Sequence, residues 1–326
     1  MTGFSDSFQR PINYLRISIT DRCNLRCIYC MPTEGIQLMS HSDILTYEEI
    51  YTMAKAAAEL GIEKIRITGG EPLVRKGVLE LVQRLARLRT HGLDELTLTT
   101  NGTRLPEMAQ DLFDAGVRRI NISLDTLRRD RFAELTRRDE FERVVSGIDA
   151  ARDAGLAVRI NAVAMRGTND DEMRDLLAWC GARGLDLALI EAMPLGEVSV
   201  DRPAAHLPLD AVREELERHF TLVPSLHRTG GPARYFDVAE TGTRIGLITP
   251  LSNNFCAGCN RIRISATGTV YGCLGHDQKV ELRDIVRAGG EAALDEALER
   301  LLAGKPLRHA FDAAQSEPAL ARHMSV

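Results

Sequence analysis

The 326-residue sequence is short of aromatics, with one Trp, six Tyr and nine Phe. It also lacks a long apolar run: no stretch approaches the ~20 consecutive apolar residues of a membrane-spanning helix. The N-terminus, MTGFSDSFQRPINYLRISIT, has no basic start followed by an apolar core, so no secretory signal is read there and a cytoplasmic protein is expected. Positive charge is not in excess. Against 46 Asp and Glu stand 41 Lys and Arg, and the net charge of -5 provides no overall attraction to nucleic acid or an anionic membrane. Only 12 Pro and 26 Gly speak against a fibrous or disordered chain. No G-x-x-x-x-G-K-[ST] loop occurs, which leaves a P-loop NTPase unsupported.

What the chain does have is seven cysteines, six of them in two tight groups. In a cytosolic chain such grouping favours metal binding over disulfides. Cys23, Cys27 and Cys30 lie in TDRCNLRCIYCMP at C-x3-C-x2-C spacing. Three thiolates on a short loop can hold three irons of a [4Fe-4S] cube and leave the fourth iron open to a small molecule. A zinc knuckle would need a second pair to complete its tetrahedron, and a redox C-x-x-C would leave Cys23 idle. Cys256, Cys259 and Cys273 form the second group, and His276 stands where it would complete a Cys3His zinc site, so spacing alone leaves zinc open there. Cys180, in the helical pattern DDEMRDLLAWCGARG, reads as a core thiol.

From Tyr14 to about Glu191, β-rich runs alternate with helical ones. Strands are expected over 14–20, 62–68, 95–100, 117–124, 156–165 and 185–193. TYEEIYTMAKAAAELG between the first two opens with a capping box and ends on Gly. Six βα repeats imply parallel strands, either in a TIM-like partial barrel or in an open doubly wound sheet. In both, chemistry belongs at the C-terminal strand ends, and TDRCNLRCIYC, TGGEP (68–72), TTNGT (99–103), SLDT (123–126) and EAMPLG (191–196) all follow strands. Beyond a soft boundary near 200 the pattern changes to a helix, short antiparallel strands with a Thr267-Gly268 turn, and a helical tail. The organisation expected is a unit over 1–200 and a cap over 201–326.

CNLRCIYC is the C-x3-C-x-aromatic-C signature of radical S-adenosylmethionine (SAM) enzymes, and TGGEP resembles their methionine-contacting motif. With KIRITGGEPLVR, LTTNG, INISLDTL, GPARYF and RIGLITPLSNNFCAGCNRIRISATGTVYGCLG, the likeness from Leu15 to about Gly275 resembles the GTP 3',8-cyclase family of molybdenum cofactor biosynthesis. The resemblance implies a partial (β/α)6 TIM-like barrel of the radical SAM type, with a C-terminal α+β cap carrying a second iron-sulfur cluster. It implies a lyase with two [4Fe-4S] clusters, one on Cys23, Cys27 and Cys30 and one on Cys256, Cys259 and Cys273. The first would split SAM to a radical that takes hydrogen from ribose carbon 3'. Attack on guanine carbon 8, then an electron and a proton from Arg or water, would give (8S)-3',8-cyclo-7,8-dihydroguanosine triphosphate. Tyr29, Gly70, Ser123 and Met193 would contact SAM. Arg16, Arg66, Thr99, Arg159, Arg261, Ile262 and Arg263 would contact GTP, with Arg261 and Arg263 the catalytic candidates. For Gly70, a bare backbone could approach the methionyl group. Partners implied are a flavodoxin or ferredoxin as electron donor, a second copy in a homodimer, and a downstream cyclic pyranopterin monophosphate synthase.

The arginines carry an independent argument. A triphosphate brings about four negative charges, and Arg forks fit phosphate oxygens. Arg261 and Arg263 sit two apart and would share a strand face; Arg16 and Arg66 alternate with apolar neighbours, where an unpaired charge would be costly. Three features depart from the family pattern: Arg159 stands for a Lys, Ala188 for an arginine, and the sequence closes on LARHMSV where the family has Gly-Gly. A slower cyclase, or one with a trimmed coding end, is the expectation from the last. Two rivals remain: a radical SAM peptide maturase with an auxiliary cluster, which would usually need more cap cysteines, and a non-catalytic metal protein that binds a nucleotide, which leaves TGGEP unexplained.

Overall fold

The alternating β-rich and helical runs do form βα units. In the computed structural model, which describes residues 4–196, 198 and 200–311, six such strands follow one another: β1 (Tyr14–Ser18), β2 (Lys64–Thr68), β3 (Glu95–Thr100), β4 (Arg119–Ser123), β5 (Ala157–Ala164) and β6 (Asp186–Glu191). The connecting helices are α1 (Tyr47–Leu60), α2 (Val78–Ala86), α3 (Leu105–Asp114), α4 (Arg129–Thr136), α5 (Phe141–Asp153) and α6 (Met173–Ala182). The capping box at the start of α1 is real: Glu49 N donates to Thr46 Oγ1 and Thr46 N to Glu49 Oε2, and Gly61 ends the helix at φ 117°. After β6 come α7 (Arg202–Ala205), α8 (Leu209–Leu216), β7 (Leu222–Pro224), β8 (Arg234–Val238), β9 (Arg244–Ile248), β10 (Arg261–Ile264), β11 (Thr269–Tyr271), β12 (Lys279–Glu281), α9 (Arg283–Arg287) and α10 (Glu291–Ala303).

All these strands belong to one sheet, ordered β12-β11-β10-β1-β2-β3-β4-β5-β6-β9-β8-β7. The sequence reading of the later strands as an antiparallel set needs correction here. β9 joins β6 and β10 joins β1, both in parallel, and only β7, β8, β11 and β12 run antiparallel to their neighbours. The physical reason is the exposed ladder at each barrel edge, which parallel edge strands satisfy. One sheet therefore supplies side chains from β1 to β6, β9 and β10 to a single cavity, so it must curl around that cavity.

The two-residue period of each strand divides core from cavity. In β1, Leu15 and Ile17 are buried in the core while Tyr14 and Arg16 line the cavity; β2 repeats this with Ile65 and Ile67 against Arg66 and Thr68. Cys180 on α6 is fully buried, with its thiol pushed up by that burial, in keeping with a core role. Among the described residues, no helix is long and apolar enough to cross a membrane. The C-terminal run LARHMSV lies outside the described residues.

Candidate active site

The loop after β1 carries the first cysteine trio and is knitted to the loops after β2 and β3. Gly70 N donates to Thr20 O at 2.7 Å and Glu71 N to Arg22 O at 2.8 Å. A Cβ on Gly70 would lie 2.4 Å from Arg22 O. The close approach of two loops thus requires a bare Gly70, beside its place on the cavity wall. Glu71, almost fully buried, accepts from Leu73 N at 3.0 Å, Thr100 Oγ1 at 2.7 Å and Asn101 N at 2.6 Å. Asn101 in turn points Nδ2 at Asn24 Oδ1, 2.8 Å away, and at Cys23 Sγ, 3.9 Å away. The TGGEP acid is a brace between loops.

Cys23, Cys27 and Cys30 all line the cavity, as do Tyr29, Gly70, Ser123 and Met193. Burial pushes the Cys23 thiol up to about 11 and that of Cys30 to about 12, with charge on Asp125 adding to the second. Cys27 is also raised well above its ordinary value by burial and by its neighbours Cys30, Asp125 and Cys23, the signature of thiols held near one another. Metal is what would deprotonate them. Asp125, which the sequence did not single out, is buried in the SLDT loop, accepting from Tyr29 OH at 2.6 Å and from Val163 N at 2.8 Å.

Across the cavity floor, strand register turns single arginines into rows. Arg263, Arg16 and Arg66 are consecutive Cα partners on β10, β1 and β2, and Arg261, Tyr14 and Lys64 form the next row. Lys64 is already neutralised by Glu95, 2.6 Å away. By contrast, the Nε atoms of Arg16, Arg66, Arg159 and Arg261 are buried without a hydrogen-bond partner. Burial, with Arg66 and Arg261 beside it, draws Arg16 down to about 10. Burial pushes the Tyr14 phenol up, but Arg66, Arg16, Lys64 and Arg261 together outweigh it and bring it down to about 8. Crowded cations with unspent donors fit a polyanion. Arg66 Nη1 also donates to Thr99 Oγ1 at 3.1 Å, and the Asn121 amide oxygen, turned toward the guanidiniums, accepts from Arg66 and Arg159 at 2.5 Å each. Arg159 further donates to Tyr235 OH.

Of the residues expected to meet substrate, Arg16, Arg66, Thr99, Arg159, Arg261 and Arg263 line this cavity of about 300 Å³. Ile262 does not. Strand alternation turns its side chain into the core, fully buried, so only its backbone is available. In the second trio, Cys256 follows Phe255, a cavity-lining residue, and Cys259 lies two residues before Arg261. The Cys259 thiol, raised by burial, is brought down to about 7 by Arg261 and Lys305. His276 directs Nε2 to Arg308 O, 2.9 Å away. Among the described residues no three His, Cys, Asp or Glu side chains converge on a single-ion site, and a four-iron cube, held through separate irons, spreads its thiolates wider than one zinc does.

Parallel βα strands curling around three rim thiols are the architecture of a radical SAM enzyme. The Radical SAM superfamily model matches residues 17–180, and the Molybdenum Cofactor Synthesis C model matches residues 185–311. The chain is 54% identical over 323 residues to a GTP 3',8-cyclase of Erythrobacter litoralis, spanning 98% of this chain and 97% of that one. It is 49% identical to the enzyme of that name from Rhizobium leguminosarum bv. trifolii, over 98% of this chain and 93% of that one. The chain belongs to the GTP 3',8-cyclase family, whose enzymes use [4Fe-4S] clusters and SAM. Among solved structures it is similar in fold to Streptococcus suis SuiB bound to S-adenosylmethionine, with a TM-score of 0.60, 17% identity, and 89% of this chain covering 68% of that one.

Proposed function

We propose that this chain converts GTP to (8S)-3',8-cyclo-7,8-dihydroguanosine 5'-triphosphate in molybdenum cofactor biosynthesis, using the residues assembled around the cavity. The observation that carries the assignment of residues is the pair of cation rows on the floor of a cavity whose rim bears three thiols. Cys23, Cys27 and Cys30 would hold one [4Fe-4S] cluster, and Cys256, Cys259 and Cys273 the other. When bound, the first cluster and SAM supply an electron and a strong hydrogen-atom abstractor.

The chain's own residues do the rest. Tyr29, fixed by Asp125, and Ser123, Gly70 and Met193 shape the SAM side of the cavity. Arg16, Arg66, Arg159, Arg261 and Arg263, with Thr99 and the Ile262 backbone, grip the triphosphate on the opposite side. Their fixed positions hold the ribose toward the rim, where orientation lowers the barrier to hydrogen abstraction. Arg261 and Arg263 also lie beside the second trio, where a proton is needed as the cyclised purine is reduced. Residues 1–200 would serve as the barrel unit and 201–326 as the cap, although strands from the second segment extend both edges of the first. A cytoplasmic setting, a homodimer, a flavodoxin or ferredoxin donor and a cyclic pyranopterin monophosphate synthase acting next complete the reading.

Anaerobic reconstitution tests it. About eight irons per chain, with 5'-deoxyadenosine formed from SAM in a GTP-dependent manner, is the expected result. Zinc at the second trio, or SAM cleavage indifferent to GTP, would overturn the substrate assignment.

A further inference from the structure

Just beyond α10, Lys305 is 2% exposed. Its Nζ donates to Cys259 Sγ at 3.5 Å, to Arg261 O at 3.1 Å and to Gly272 O. A buried ammonium costs several kcal/mol unless an anion faces it. Among the described residues no carboxylate lies within ion-pair distance of this one, and two of its three acceptors are neutral carbonyls. The opposing charge can come from the thiolates of the second trio, Cys259 in contact and Cys273 close by.

The placement is rigid. The lysine stem packs against Gly272, at a distance where a Cβ would be in van der Waals contact with Lys305 Cβ at 3.4 Å. Arg10, paired with Asp6 at 2.6 Å, reaches the carbonyls of Pro306 (2.7 Å), Leu307 (2.8 Å) and Cys256 (2.7 Å). One guanidinium thus clamps the lysine segment and the second trio together.

We propose that Lys305 is the charge partner of the cluster on Cys256, Cys259 and Cys273, and that it raises the reduction potential of that cluster. Reduction adds one negative charge to the cluster, and a cation donating to a ligating sulfur favours the reduced form. Lys305 is a positioning and tuning residue that touches neither GTP nor SAM. The inference rests on the second trio holding a four-iron cluster.

The test is a redox titration followed by electron paramagnetic resonance on the full chain carrying Cys27→Ala and Cys30→Ala, so that only the second cluster is observed. Lys305→Gln should keep about four irons and shift the oxidised-to-reduced ratio at a given potential about tenfold, a potential lower by about 59 mV for one electron. Lys305→Arg should stay within about threefold of the parent. Iron lost from the Gln variant but kept by the Arg variant would support the same conclusion, because charge is what distinguishes them. Unchanged potential in Lys305→Gln, an Arg variant that falls as far as the Gln one, or iron lost from both would overturn the proposal. Zinc in place of iron in the parent would overturn the cluster reading itself, a distinguishable failure.

Discussion

Tyr235 reaches from β8 to hold Arg159 on β5, three strands away across β9 and β6. The register explains how. Asn161, Ala188, Gly246 and Tyr235 form one row of Cα partners, and its two middle positions are the smallest side chains available. A Cβ on Gly246 would lie 2.9 Å from the Tyr235 ring. Ala188 and Gly246 therefore leave room on the row for Tyr235, whose hydroxyl accepts from Arg159.

Replacing Tyr235 by Phe leaves a buried guanidinium short of an acceptor, a loss of about 1–3 kcal/mol. Expressed as positioning, KM for GTP should rise about tenfold with kcat little changed. Steady-state kinetics check this, and Tyr235→Phe that leaves KM alone would show the contact to be packing only. Gly246→Ala should produce the same KM effect by displacing the ring.

Gly70→Ala places a methyl group against Arg22 O, 2.4 Å away, and must pry the cysteine loop from the loop after β2. Arg22 immediately precedes Cys23, so the first cluster should be lost while the fold stays. Iron should fall by about four per chain with the thermal midpoint nearly unchanged.

The Glu71 carboxyl is pushed up by burial to about 7, in spite of donors from Asn101, Thr100 and Leu73. Between the ordinary value of 4.5 and about 7 the folded chain binds more protons than the unfolded one, so the contribution of this group to stability falls as pH rises through that window. Glu71→Gln cannot ionise and sets an amide N–H2 against donors, at a cost of about 1–3 kcal/mol. The stability gap between wild type and variant, from chemical denaturation, should be widest near pH 5 and narrow toward pH 7.5.

Much of the site was legible because strand period two is visible in single segments. Leu15-Arg16-Ile17 and Ile262-Arg263-Ile264 each declare which side chain leaves the core. What could not be read is register between segments some 240 residues apart, and that register makes rows of Arg16 with Arg263 and of Tyr14 with Arg261. The braces were missed for a different reason. Glu71, Asp125 and Tyr235 lie in stretches the sequence does mark, TGGEP, SLDT and GPARYF, but like Lys305 they act on backbone or on side chains brought near by topology, and their bracing roles cannot be read locally. For Gly70 the sequence showed no sign of the second loop that also demands a bare backbone there.

The cation rows yield the last prediction. Arg261 and Arg263 face the cavity from one strand, and Arg263 is drawn well below its ordinary value by burial, then by Arg16 and Arg261. An incoming triphosphate relieves that repulsion, so its phosphates should add much to affinity in the wild type. In Arg261→Ala with Arg263→Ala, one of the two rows keeps only Arg16 and Arg66, and charge-assisted bonds of roughly 1.5–3 kcal/mol each are lost. GTP should bind at least a hundredfold more weakly, the preference for GTP over guanosine should shrink by the same factor, and SAM binding should be unchanged. Calorimetry with all three ligands decides it: guanosine weakened as much as GTP would place these arginines at the base instead of the phosphates.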